Sequence, residues 1–160
     1  MEQAIKQQIK RITLRKANQE DAKFLFDLRN DPDVYRWFSN PNPVQWEGHL
    51  SWLSDVLAGK IKKHLYILES EGKKAGQFRL DEVSSTKVII SISLSKEQRG
   101  KGLGTLGLKE GIELAKHLGF QELVAEIHQD NMASLYLFQK MGFIFESQKD
   151  VWQTFILHLF

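Results

Sequence analysis

The chain has 160 residues, which is enough for one domain with a substantial hydrophobic core. Its 22 basic and 20 acidic side chains nearly cancel, and a net charge of +2 gives no electrostatic reason to expect nucleic acid or a membrane as a partner. The absence of cysteine excludes disulfides, thiolate metal sites and a cysteine nucleophile, and it fits a reducing, cytoplasmic location.

Secretion, membrane insertion and metal binding also lack support in the sequence. Met1 to Lys10 has no apolar run of the kind found in a secretion signal. No segment approaches the ~20 apolar residues of a membrane span. The five histidines show neither HExxH nor another ligand spacing, so we expect no metal site.

The first half of the chain predicts two helices and four strands. Ile9 to Arg15 alternates polar and apolar residues, which favours a strand. Asn18 and Asp21 have the spacing of a capping pair, and Phe24 to Leu28 then carries a helical apolar stripe. His49 to Leu57 predicts the second helix. The other predicted strands are His64 to Glu69, Ala75 to Leu80 and Lys87 to Leu94.

In the second half, helices and strands alternate before two closing strands. The predicted elements are a helix at Gly102 to Leu118, a strand at Glu122 to His128, a helix at Asn131 to Met141, and strands at Phe143 to Gln148 and Trp152 to Leu159. No linker, repeat or low-complexity stretch divides this order. We therefore expect residues 1–160 to form a single domain of mixed α/β (α+β) class.

A glycine-rich turn follows the strand that ends at Leu94. Arg99-Gly-Lys-Gly-Leu-Gly-Thr105 precedes a helix, so backbone N–H groups and the positive end of the helix dipole gather there without side chains in the way. Such an arrangement binds phosphate.

Two familiar phosphate motifs do not fit this turn. The P-loop spacing GxxxxGK[ST] is absent. Gly102, Gly104 and Gly107 do spell GxGxxG, and Glu126 lies near the distance of a ribose-binding acid. However, seven polar or glycine residues separate the strand from these glycines, and only about a third of the chain remains, whereas the fingerprint normally starts a domain of ~150 residues.

Arg99 to Gly104 instead resembles the acetyl-CoA pyrophosphate loop of the GNAT acetyltransferases, R/Q-x-x-G-x-G/A. Asn131 to Phe143 is similar to the second motif of that superfamily, N-x-x-A/S-x-x-x-Y/F-x-x-x-G-F. Two motifs at the right separation are more specific than either one. The alternative is a capped amphipathic helix after an ordinary glycine-rich loop.

The resemblance implies a fold and a cosubstrate. The expected fold is a central, mostly antiparallel mixed sheet of six to seven strands flanked by about four helices, with acetyl-CoA as cosubstrate. The strand ending at Leu94 would hold pantetheine by backbone hydrogen bonds, and an N–H near Leu94 would stabilise the oxyanion of a tetrahedral intermediate. The implied cofactor contacts are Ile92, Ser93, Leu94, Arg99, Gly100, Lys101, Gly102, Leu103, Gly104, Thr105, Asn131, Ser134 and Phe138.

Acetyl transfer to an amine needs a base, and Glu126 is the candidate. It lies in an apolar strand five residues before Asn131, where some GNAT enzymes carry a catalytic glutamate, and we expect its carboxylate to be partly buried. A strand glutamate with a solvated carboxylate is the alternative. The general acid departs from the family pattern, because many relatives have tyrosine at the position of Phe138.

The acceptor site is expected from the first helices and early strands. The implied substrate contacts are Arg29, Asn30, Trp37, His49, Trp52 and Arg79. This pattern resembles the N-acetyltransferases of nonulosonic (pseudaminic and legionaminic) acid pathways, which acetylate a UDP-linked 4-amino-4,6-dideoxy sugar. Tryptophan faces would stack on uracil or the sugar, and arginine would meet the diphosphate. The same tryptophans and arginines also suit an ordinary core and a helix end.

Other acceptors and another class of function stay open. A ribosomal-protein type N-terminal acetyltransferase fits Glu126, and a non-catalytic acyl-CoA-binding module fits Phe138. Antibiotics, polyamines and amino acids are further acceptors. The sequence also leaves open whether the protein is a homodimer.

Overall fold

Seven β-strands and five α-helices make up residues 12–160, the part of the chain that the computed structural model describes. The strands are β1 (Ile12–Lys16), β2 (Lys63–Ser70), β3 (Lys73–Glu82), β4 (Lys87–Leu94), β5 (Glu122–His128), β6 (Ile144–Lys149) and β7 (Trp152–His158). The helices are α1 (Ala22–Arg29), α2 (Pro32–Tyr35), α3 (Trp46–Leu57), α4 (Leu103–His117) and α5 (Met132–Lys140). The predicted mixed α/β fold is confirmed.

The predicted elements match the observed ones closely, with one addition. The bounds of β4 and β5 are those predicted. Asn18 and Asp21 form a capping box, but it caps the single 3-10 turn Gln19–Asp21 that leads into α1, and α1 itself has no side-chain cap. The sequence does not predict α2, where Pro32 takes the first helical position and Asp31 caps the helix by accepting the N–H of Asp33. Residues 1–11 lie outside the described residues. They include Met1 to Lys10, which lacks the apolar run of a secretion signal, and the start of the first predicted strand at Ile9.

One mixed sheet runs through the molecule in the order β1-β2-β3-β4-β5-β7-β6. Every neighbouring pair is antiparallel except β4 and β5, which are parallel. Those two strands pair only over Lys87–Ile89 and Glu122–Val124. Beyond this point they separate, so the sheet opens into a wedge between the C-terminal halves of β4 and β5.

The main hydrophobic core lies between one face of the sheet and helices α4 and α5. Phe78, Leu80 and Phe155 are fully buried there. Helix α4 lies close to the sheet because Gly111 and Gly107 face it, and a Cβ at either position would overlap Phe78 or Leu68. The third glycine of the GxGxxG pattern therefore serves packing.

The opposite face of the sheet is covered only in part. Leu25 and Leu53, from α1 and α3, pack on Leu65 and Ile67 of β2. Side chains alternate between the two faces of a strand, so the polar residues in the middle of β3 and in the C-terminal halves of β4 and β5 lie on this same face. That face forms the floor of the site described next.

Candidate active site

A large cavity opens where β4 and β5 separate. Its volume is about 1390 Å³, and its walls come from both strands, the glycine-rich turn, α5, and the segment from α1 to α3. Sites for one small molecule usually measure ~300–1,000 Å³. The cavity therefore has room for a cosubstrate and an acceptor together.

Strand register sets two polar rows across the floor of this cavity. Arg79 pairs with Ser91 and Gln77 with Ser93. Ile89 pairs with Val124, so continuing two residues along each parallel strand brings Ser91 level with Glu126 across the wedge. The rows are Arg79, Ser91 and Glu126, and then Gln77, Ser93 and His128.

The glycine-rich turn has the geometry of an anion site. Gly102 caps α4 with φ +78 and no side-chain hydrogen bond, which leaves the N–H groups of the first helical turn to other partners. Gly102, Gly104 and Thr105 line the cavity, as does Gly100, whose φ is +74. Backbone donors and the helix dipole converge there, so the turn fits the pyrophosphate of acetyl-CoA.

Two residues of the same predicted turn point elsewhere. The side chain of Leu103 is buried in the core, and Lys101 and Leu103 line a separate cavity of about 280 Å³. Cofactor contacts from these two residues would have to come from the backbone.

Arg99 is engaged within the protein. Its Nη2 lies 2.7 Å from Asp31 and its Nη1 3.6 Å from Asp33, while Nε donates to the carbonyl of Leu94 at 3.1 Å. Burial alone would raise the pKa of Asp31, but the N–H of Asp33 and the guanidinium of Arg99 outweigh it and hold that pKa below its usual value. Arg99 lines the cavity and also fixes its wall.

The remaining predicted cofactor residues lie together on β4 and α5. Ile92, Ser93 and Leu94 line one side, and Asn131, Ser134 and Phe138 the other. Asn131 also caps α5, because its Oδ1 accepts the N–H of Ser134 at 3.3 Å. Phe138 is buried and packs edge-on against Phe143, whereas Tyr136 is 70% exposed at the rim of the cavity.

Glu126 reaches the cavity, but its environment differs from the one expected. Its side chain is exposed, not partly buried, because it points into the wedge where β4 and β5 have separated. Its neighbours Ala125 and Ile127 point to the opposite face and are buried in the core. The carboxylate is thus open to a bound molecule.

Five of the six predicted acceptor residues line the cavity, namely Arg29, Trp37, His49, Trp52 and Arg79. The sixth, Asn30, does not: its amide donates to the carbonyl of Val44 at 3.0 Å and accepts the N–H of Val44 at 2.8 Å. Asn30 therefore fixes the loop before α3, which holds the cavity wall in place.

Arg29 is a cation without a carboxylate partner among residues 12–160. Its guanidinium donates to the carbonyls of Asn42 at 3.1 Å and Asn40 at 3.2 Å, and lies 4.8 Å from the Phe38 ring centroid. Burial lowers the pKa of Arg29, and the positive charge of Arg79 adds to this effect. Arg79 is partly neutralised, because its Nε donates to Asp81 at 2.8 Å, so Arg29 is the cation of this half of the cavity that favours an anionic occupant.

His49 is a neutral structural ring. Its Nε2 lies 2.9 Å from the carbonyl of Ala22 and donates to it, and the ring stacks near Trp46 and Trp52. Burial and the charge of Arg29 hold the pKa of His49 below its usual value, against the effect of the Ala22 carbonyl. His49 is therefore poorly suited to act as a base.

His128 and Trp152 line the cavity, although the sequence did not predict either of them as a site residue. His128 follows Glu126 by two residues in a strand, and that spacing alone places both side chains on one face. Trp152 pairs with His128 across β5 and β7, a register that only the folded sheet supplies.

Within residues 12–160, no helix is long and apolar enough to cross a membrane. The same residues contain no group of three or more His, Cys, Asp or Glu side chains that could hold a metal ion.

Comparison with known proteins agrees with this geometry. Residues 11–144 match the model of the acetyltransferase (GNAT) domain. The chain is 30% identical to Bacillus subtilis YwnH over 82% of this chain and 83% of that protein. It is 40% identical to the L-methionine sulfoximine/L-methionine sulfone acetyltransferase of Pseudomonas aeruginosa, over 68% of this chain and 66% of the relative.

A solved structure shares the fold. The spermidine N-acetyltransferase of Vibrio cholerae, in complex with CoA and spermine, superimposes with a TM-score of 0.83 at 16% identity, covering 92% of this chain and 95% of that one. The motifs, the separated strands and the family match agree, and the chain belongs to the GNAT acetyltransferases as an acetyl-CoA-dependent N-acetyltransferase.

Proposed function

We propose that this enzyme acetylates the primary amine of an anionic small molecule, and that the acceptor is the 4-amino group of a UDP-linked 4-amino-4,6-dideoxy sugar. The observation that carries the proposal is the guanidinium of Arg29, which has no carboxylate partner among residues 12–160 and lies on the same side of the cavity as Arg79, whose Nε is paired with Asp81. A diphosphate is a natural partner for two arginines.

The aromatic lining supports the same acceptor. Trp37 and Trp52 line the cavity and are only half-buried. Arg36 lies over the Trp37 ring at 4.5 Å and His49 stacks near Trp52, so uracil or a sugar ring would contact the part of each indole that stays exposed. A cavity of about 1390 Å³ has room for a nucleotide sugar beside acetyl-CoA. A polyamine would instead bring positive charge toward Arg29 and Arg79.

Glu126 acts as the general base in this proposal. An alkyl ammonium has a pKa of about 10 and must lose a proton before it attacks. The amine nitrogen bonds to the acetyl carbon, the carbon–sulfur bond breaks, CoA leaves as the thiolate, and the amine proton passes to Glu126 directly or through water. Backbone N–H groups near Leu94 stabilise the negative charge on the acetyl oxygen.

An L-amino acid is the second candidate acceptor. The Pseudomonas aeruginosa relative is named for acetylation of methionine sulfoximine and methionine sulfone. An α-carboxylate would also be recognised by Arg29 or Arg79, although it would fill less of the cavity.

Thiol release from acetyl-CoA tests the acceptor class. The purified enzyme would be given a UDP-4-amino-4,6-dideoxy sugar, L-methionine sulfone, or a short peptide with a free N-terminus. We expect the highest kcat/KM with the sugar. Preference for methionine sulfone would move the assignment to amino acids, and turnover of the peptide alone would overturn the anionic small-molecule proposal.

Two variants test the assigned roles. Glu126→Gln should lower kcat about 100-fold or more while acetyl-CoA still binds. Arg29→Gln should raise the KM for the UDP-sugar about tenfold, and Arg29→Lys should raise it less because the charge remains. Unchanged kcat in Glu126→Gln would remove Glu126 as the base.

A further inference from the structure

We propose that His128 binds the acceptor by donating one hydrogen bond from Nε2, and that it orients the amine toward Glu126. This inference rests on the proposed function and assigns a residue to the acceptor side of the same cavity.

The tautomer of the neutral His128 ring follows from its backbone neighbour. The N–H of Asp130 donates to Nδ1 at 3.1 Å, and a ring nitrogen that accepts a hydrogen bond carries no proton. The proton of the neutral ring therefore sits on Nε2. The carboxylate of Asp130 lies 4.0 Å from Nδ1, beyond hydrogen-bond distance.

Two tryptophans hold the ring in place. Its centroid lies 5.5 Å from that of Trp37 and 5.4 Å from that of Trp152, with an interplanar angle of 82° to Trp152. All three rings line the cavity. Trp37 belongs to the segment between α2 and α3, and Trp152 belongs to β7. His128 therefore lies where the α2–α3 segment approaches the open end of the sheet between β4 and β5.

Nε2 is the polar atom of His128 that remains available. Among residues 12–160 it has no hydrogen-bond partner, and these residues contain no buried side-chain nitrogen or oxygen lacking a partner. Nε2 is therefore accessible from outside the protein core, and since His128 lines the cavity, its donor is open to a bound molecule.

The spacing to Glu126 defines what His128 can recognise. The two residues are separated by one position on the same face of β5, which places their Cα atoms about 6.5 Å apart. An acceptor whose amine meets Glu126 would thus present an oxygen a few bonds away to His128. A sugar hydroxyl or an α-carboxylate offers such an oxygen, whereas a polyamine offers none.

Two substitutions separate donation from packing. His128→Gln retains an N–H donor and loses the ring, whereas His128→Phe retains the contacts with Trp37 and Trp152 and loses the donor. We expect His128→Phe to raise the KM for the UDP-4-amino sugar about tenfold and His128→Gln to raise it less than about threefold. The KM for acetyl-CoA should stay unchanged in both. A wild-type acceptor KM in His128→Phe, or a rise confined to the KM for acetyl-CoA, would overturn the inference.

A second measurement does not depend on the acceptor being right. If the sugar is not turned over, the same variants are compared with L-methionine sulfone. In the ¹⁵N-histidine-labelled enzyme, NMR reports the tautomer of His128 whether or not any amine is acetylated. Protonation at Nε2 with a bare Nδ1 supports the inference, and protonation at Nδ1 contradicts it even if the proposed acceptor is correct.

Discussion

Arg99 and Asp31 form an ion pair of 2.7 Å that joins the glycine-rich turn to the segment between α1 and α2. Arg99 belongs to the glycine-rich turn, and Asp31 begins the helix that follows Arg29. Arg99 also donates to the carbonyl of Leu94, the last residue of β4. One side chain, Arg99, therefore holds together the glycine-rich turn, the end of β4 and the segment between α1 and α2.

Asp31→Asn removes the charge of this pair and keeps a residue able to cap α2. We expect the free energy of unfolding to fall by about 1–2 kcal/mol, because a charge-assisted hydrogen bond is lost. The KM values for acetyl-CoA and for the amine should both rise. Urea unfolding and steady-state kinetics would measure these effects.

Asp33→Asn is the matched control for that variant. Asp33 is 59% exposed and lies 3.6 Å from Arg99, so its loss should cost less than about 0.5 kcal/mol. Equal effects of the two variants would contradict a specific role for Asp31.

The buried carboxylate of Asp21 makes the stability of the protein depend on pH. Burial alone would raise the pKa of Asp21, but hydrogen bonds from Arg15, Lys74 and the N–H of Asn18 outweigh it and hold the pKa far below its usual value. A lowered folded pKa contributes stability that is present above the unfolded value of about 3.9 and is lost as pH falls toward the folded value. We therefore expect the free energy of unfolding to decline below about pH 4, and the Asp21→Asn variant to decline less steeply.

At pH 7 the same variant should lose about 3 kcal/mol, because Asp21 is 1% exposed and its removal leaves Lys74 without a carboxylate partner and Arg15 with Glu69 alone. Asp27→Asn breaks only the exposed pair with Lys23 and should cost about 0.5 kcal/mol or less. Equal losses in the two variants would show that Asp21 is not a structural anchor.

Local patterns in the sequence predicted most of this fold. The predicted bounds of β4 and β5 are the observed ones, and residues of the two family motifs line the cavity. What local patterns miss are relationships across the sheet. The separation of β4 from β5, which leaves Glu126 exposed, and the pairing of Trp152 with His128 depend on register between distant strands.

The segment Arg29-Asn30-Asp31 shows the same limit. The sequence predicts Arg29 and Asn30 as acceptor contacts, but Asn30 binds the backbone of Val44 and Asp31 binds Arg99. Neighbouring polar residues in a turn diverge in direction, so adjacency in sequence does not predict which of them faces a cavity. The structural roles of Asn30 and Asp31 depend on contacts with residues that are distant in sequence.

The left-handed conformation of Gly102 yields a test of the anion site. Any other residue at φ +78 is strained by about 1–2 kcal/mol, although a Cβ there would meet open space. Gly102→Ala should therefore raise the Kd for acetyl-CoA by displacing the N–H groups at the start of α4. Gly119→Ala imposes similar strain at φ +90, after the end of α4, and should leave that Kd unchanged. Isothermal titration calorimetry would compare the two, and equal Kd values would contradict the role of the turn.

Helix α4 supplies a packing test. A Cβ at Gly111 would overlap the Phe78 ring, so Gly111→Ala should lower the free energy of unfolding by about 1–3 kcal/mol. Gly48 lies inside α3 with nothing within 4 Å of a Cβ, and Gly48→Ala should stabilise the protein by about 0.5–1 kcal/mol. Thermal unfolding of both variants should show melting temperatures that move in opposite directions. A Gly111→Ala protein as stable as the wild type would show that the helix can move away from the sheet.

Replacing Phe138 with tyrosine should raise the activity of the enzyme. It lines the cavity where many relatives carry tyrosine, and a phenolic hydroxyl there would be able to protonate the departing thiolate. A thiol has a pKa of about 8.5, so the thiolate can leave unassisted near neutral pH, and general acid catalysis would add to that rate. We expect Phe138→Tyr to raise kcat about tenfold while the KM for acetyl-CoA changes little.

Tyr136→Phe is the control, because Tyr136 is 70% exposed at the rim and should not act as the acid. Loss of activity in Tyr136→Phe would make Tyr136 the proton donor, and an unchanged kcat in Phe138→Tyr would mean that thiolate departure does not limit turnover.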